Sequence, residues 1–176
     1  MRKSFLFPCA VVLSLAALIP VAALPEAAEA RALKASVYLT QHRVPKKLSL
    51  KGLLGFVRSH KASRLRETSE PKLDDRQFKA EMVTAFNAPP GDLEFHVLFY
   101  DVHDGQRRFI EDMSTFIDDR SQKVFLQRVK LPRPRFRPNR RMELVVTVKR
   151  AEVGSLKFMT HGEEKRHSGV VSFDEG

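Results

Sequence analysis

Two apolar-rich runs joined at Asp104-Gly105 occupy residues 93–117 and predict a β-hairpin, because tight turns that match strand twist need positive φ, which glycine adopts without Cβ strain. In the first arm Phe95, Val97 and Phe99 share one face while Leu98, Tyr100 and Val102 share the other. A strand apolar on both faces belongs inside a sheet covered on both sides, or nearly so. A two-residue loop would set Asp101 against Arg108 and Tyr100 against Phe109. A three-residue loop with Gly105 in the bulge position would set Asp101 against Arg107, Phe99 against Phe109 and Phe95 against Met113. We expect the second, because direct aromatic and charge pairs stabilise a sheet.

The same period of two marks further strands at residues 35–41, 78–86, 123–131, 142–148, 155–160 and 165–173, with a short one near 63–66 and a turn near Gly154. Leu50, Leu53, Leu54 and Val57 fall at helical spacing behind Ser49, so residues 49–60 predict one short amphipathic helix, weakened by Gly52 and Gly55. Pro89-Pro90-Gly91 ends the strand before the hairpin, since proline donates nothing to a ladder. The Pro-Arg segment at 132–141 is expected to run extended across the surface between two sheets. About eight strands at spacings near ten residues, without βαβ alternation, make the expected fold a mainly β, antiparallel immunoglobulin-like sandwich.

Composition changes this picture at the N-terminus. Arg2 and Lys3 precede an apolar run, and Ala28-Glu29-Ala30 is a small-x-small cleavage pattern, so residues 1–30 have the layout of a secretory signal peptide and 31–176 that of a single domain. Pro8 and Pro20 leave an uninterrupted apolar stretch shorter than the ~20 residues a spanning helix needs. The expected location is therefore periplasmic or extracellular. The sole cysteine, Cys9, lies in that leader, which excludes disulfides and thiol chemistry from the mature chain.

Charge is unevenly spread over a chain of net +10. Residues 31–66 carry ten Lys or Arg and no acid, residues 128–141 carry seven and no acid, and residues 92–119 carry eight acids against Arg107 and Arg108. Such blocks either contact a polyanion or compensate one another in the fold. Arg133, Arg135, Arg137, Arg140 and Arg141, with Phe136 among them, are the candidate polyanion ligands of the Pro-Arg segment, since guanidinium groups engage phosphates, sulfates and carboxylates. Lys47, Lys51 and Arg58 are their counterparts on the helix, where a basic amphipathic face either lies on an anionic membrane or covers its own domain. The competing reading pairs the arginines with Glu94, Glu111, Asp112, Asp118 and Asp119.

Catalytic motifs are missing: there is no Gly-rich phosphate loop, His-Glu-x-x-His pair or Gly-x-Ser-x-Gly elbow. Asp101, His103 and Asp104 gather potential ligands on one loop, but the turn itself favours Asp104 and the acids at 118–119 belong to the other end of the arm, so no metal or cofactor is expected. His96 faces Asp112 in the expected register without a nucleophile, which suits a polar cross-strand pair.

Residues 136–162, a proline-containing entry into a long alternating strand and its partner, resemble the closing strands of bacterial immunoglobulin-like or C2-like sandwiches. Over residues 78–173 the chain is similar in architecture to small exported β-sandwich proteins of unknown function from Gram-negative bacteria, a resemblance that implies a fold and no activity. The expected function is non-catalytic binding of an anionic polysaccharide, a membrane surface or a protein partner. The alternative is a structural subunit of the envelope that pairs through an edge strand such as residues 35–41. Export and the lack of aromatic interleaving beyond Phe136 argue against nucleic acid as a physiological partner.

Overall fold

The computed structural model describes residues 32–164. Among them are eight strands: β1 (Ala35–Thr40), β2 (Arg64–Arg66), β3 (Gln77–Phe86), β4 (Glu94–Asp101), β5 (Arg108–Phe116), β6 (Val124–Pro132), β7 (Arg141–Val148) and β8 (Ala151–His161). One α-helix, α1 (Leu50–Ser59), begins behind Ser49, whose hydroxyl accepts from the Gly52 N–H at 3.2 Å. The strands form a three-stranded sheet, β1-β3-β6, and a five-stranded sheet, β2-β8-β7-β4-β5. This is an immunoglobulin-like sandwich order. The pairing is antiparallel apart from the short β2–β8 pair, which is parallel. The expected signal segment and the expected last strand at 165–173 lie outside the described residues.

Alternation explains the core. Phe78, Ala80, Met82 and Phe86 on β3 and Phe125, Val129 and Leu131 on β6 face Phe95, Val97 and Phe99 on β4 and Met142, Leu144 and Val146 on β7. Phe86, Phe95 and Phe125 pack edge to face, with centroids 5.1–5.8 Å apart, the arrangement that ring quadrupoles favour. α1 lies on the other side of the three-stranded sheet. Its Val57 packs with Val44 and Val83, with Tyr38 and Val124 around them. A helix layer thus lies over the sandwich, with Leu53, Leu54 and Val57 of the expected stripe packed on the domain and Leu50 exposed.

Three local expectations are corrected. The hairpin ladder pairs Asp101 with Arg108 and Tyr100 with Phe109, then shifts by a bulge so that Phe99 faces Glu111 and Phe95 faces Thr115. The three-residue register is therefore not adopted; the bulge absorbs a residue and re-aims the arm. The β7–β8 turn is at Lys149-Arg150, both at positive φ (50° and 66°), with β8 already formed at Gly154. Finally, the Pro-Arg segment does not run extended. The Arg135 and Phe136 N–H groups both donate to the Pro132 carbonyl, and this turn drives Phe136 into the core against Phe99. Burial of one ring outweighs the extended preference of its prolines.

A basic face over the three-stranded sheet

The expected anion ligands separate into two groups. On the Pro-Arg segment, Arg133 is 6% exposed and grips Glu67 at 2.7 Å, while a second guanidinium nitrogen donates to the Glu163 carbonyl. Glu67 also takes Arg76 at 2.9 Å and the Glu163 N–H at 2.8 Å. Arg76, bonded to Glu67 and Glu163, has its pKa raised further above the ordinary arginine value. Arg135 meets Glu111 at 2.9 Å, and Arg140 lies 3.5 Å from Asp104 and 4.0 Å from Asp101. Arg141 donates to the His103 carbonyl at 2.8 Å. Arg137 alone of the five has no partner for its guanidinium among the described residues, beside an open groove of about 500 Å³. Most of this segment's charge is spent inside the molecule.

The second group has no acid partner among the described residues. Lys47 and Lys51 are exposed and have no acid partner among the described residues, and Arg58 stacks on Tyr38 with its Nε 3.3 Å from the phenol oxygen. They belong to the layer that covers the outer face of the three-stranded sheet. That face carries further cations which the sequence reading did not single out. Outward positions alternate along β3 and β6, so the register sets Lys79 directly opposite Lys130 and Glu81 opposite Arg128. Arg43, in the loop after β1, joins them around a groove of about 510 Å³. Lys79 reaches Glu70 only at 3.6 Å and Arg128 reaches Glu81 at 3.6 Å; Arg43 and Lys130 have no acid partner among the described residues. The Glu81 carboxylate is fixed by the Val44 N–H at 2.6 Å. Gln41 holds the backbone of Arg66 and Lys79. The walls of the groove are therefore set by the fold, while Arg43 and Lys130 are left without an acid partner among the described residues.

No protein-family model matches the chain, and no curated protein does. Geometry alone must speak for the remaining candidates. His96 lies 3.0 Å from Asp112 through Nδ1 and 3.6 Å from Glu94 through Nε2. Its register partner is Ser114 rather than Asp112, and the contact is diagonal. Only the Asp112 contact is within hydrogen-bond distance. Asp101 caps the His103 N–H at 2.8 Å and shares Arg140 with Asp104. Arg107, an expected partner of Asp101, instead makes a two-pronged pair with buried Glu143 and a second pair with Glu152. Both acids raise its pKa, Glu143 most. No group of three or more potential metal ligands converges among the described residues.

Signals for the missed cations were partly present. Arg43 lies in the first acid-free run and Arg128 and Lys130 in the second. What placed them together was the β3–β6 register and the folding of the loop after β1, neither of which a single strand's pattern encodes.

Proposed function

We propose that this chain is an exported, non-catalytic β-sandwich module that binds an anionic component of the cell envelope through its basic surface. The observation that carries this reading is the contrast between the two groups of cations. Arg133, Arg135 and Arg140 have acid partners, whereas Lys47, Lys51, Arg43 and Lys130, from α1, the loop before it and β6 of the sheet it covers, have none among the described residues. Unpaired like charges on one face raise its potential and draw polyanions at a rate that falls with salt. The edge-strand alternative has little room at β1, because Leu39 O already accepts from Ala62 N and Ala35 O lies where a Cβ on Gly154 would collide with it.

The test is binding of dextran sulfate at low and high salt. Affinity should fall steeply with added salt, and fall again when Lys47, Lys51 and Lys130 are changed to Gln together. Salt-independent binding, or an unchanged affinity in the triple variant, sinks the proposal.

A further inference from the structure

Lys79 and Lys130 face each other on one rung of an otherwise ordinary sheet, a placement that folding alone disfavours. Cross-strand neighbours sit about 5 Å apart, near enough for two ammonium groups to share one small anion. Around them the groove holds four cations, Arg43, Lys79, Arg128 and Lys130, against Glu81 in its wall and Glu70 at its margin. The local balance is thus +2 (four cations less two carboxylates). Gln77, two residues before Lys79 on the same face, adds an amide whose side chain makes no other hydrogen bond among the described residues.

We infer that this groove is a binding site for a doubly charged tetrahedral oxyanion, a phosphate monoester. Resting on the module reading above, it names the chemical group by which the envelope component is held. Lysine ammonium groups act as point charges on phosphate oxygens, and Arg43 and Arg128 offer planar forks from either side. A single carboxylate would neutralise only half of the excess. A dianion neutralises it and relieves the Lys79–Lys130 repulsion. Glu81 does not close the site, because the Val44 N–H and Arg128 already hold it.

The experiment titrates the protein, purified as the cell processes it, with inorganic phosphate at constant ionic strength and at a pH where it is the dianion, following the side-chain and amide signals of Lys79, Lys130 and Arg43 by NMR. Saturable shifts confined to this groove are expected. Lys130→Glu should weaken binding at least about tenfold, since it removes one charge-assisted contact and sets a carboxylate beside the anion. The same variant should melt higher than wild type without ligand, because it places an acid opposite Lys79. That rise separates loss of a site from loss of the fold. Unchanged phosphate affinity in Lys130→Glu, or shifts spread evenly over all surface cations, overturns the inference. Wild-type protein that binds phosphate but not dextran sulfate overturns the module reading and leaves the groove standing. The reverse, dextran sulfate binding without saturable phosphate shifts in this groove, overturns the groove and leaves the module reading. A phosphorylated polysaccharide against phosphatidic acid vesicles then tells whether the ester is carried by a polymer or a lipid; binding of neither overturns the site.

Discussion

Arginines that look alike along the chain have different physical roles. Arg133, Arg135 and Arg137 alternate with prolines and were equivalent as anion ligands by sequence, yet Arg133 is buried against a glutamate 66 residues away. No local pattern could reveal that partner. The consequence is testable: Glu67→Gln leaves the buried Arg133 guanidinium uncompensated and should cost about 3–5 kcal/mol in urea unfolding, whereas Arg135→Ala, at an exposed pair, should cost less than about 1 kcal/mol. Arg133→Ala should lower stability and leave salt-corrected polyanion affinity almost untouched. Asp119 gives the pH counterpart. The Ser121 hydroxyl at 2.7 Å, and then its N–H at 2.8 Å, hold the Asp119 carboxyl below the usual range. A depressed carboxylate stabilises the fold at neutral pH and loses that contribution only as pH falls below the ordinary aspartate range through the lowered value. Asp119→Ala should therefore unfold more easily than wild type at neutral pH and converge with it in strong acid, as followed by thermal melts across pH.

Strand positions were legible because period-two alternation is a property of each strand alone; turns and registers were not, because they answer to neighbours. Gly154 shows the difference. It reads as a turn residue, but it sits inside β8, where a Cβ would come within 2.2 Å of the Ala35 carbonyl oxygen of β1. Glycine is there to let two sheet edges approach. Gly154→Ala pushes backbone against backbone and should destabilise by about 1–3 kcal/mol. The real turn at Lys149-Arg150 was invisible because both residues pay for a left-handed conformation that Asn-Gly adopts readily. Replacing the pair with Asn-Gly should raise stability by about 1 kcal/mol; a loss on replacement would show that the two cations hold the turn through contacts with the acids beside it, Asp92, Glu94 and Asp112.

At the scale of the molecule, the acid-free runs were visible in the sequence, but whether they repelled or compensated was not. The fold divides them: Arg133, Arg135 and Arg140 of the second run pair with Glu67, Glu111, Asp101 and Asp104, while Arg43, Lys47, Lys51 and Arg58 of the first lie on the side of the three-stranded sheet that α1 covers, together with Arg128 and Lys130. Two opposed salt responses follow. Exposed ion pairs weaken as salt screens them, whereas a face of unpaired like charges is relieved by the same screening. The closest pairs, at Glu67 and Glu143, are buried on the acid side and screened little. With a net charge of +10 the relief should dominate. Stability measured by urea unfolding should therefore rise as sodium chloride is raised from low concentration until the Debye length is about 10 Å or less, and the rise should flatten in Lys130→Glu. If stability instead fell with salt in the wild-type protein, the surface pairs would outweigh the repulsion. The helix layer would then carry no excess potential with which to recruit an anion.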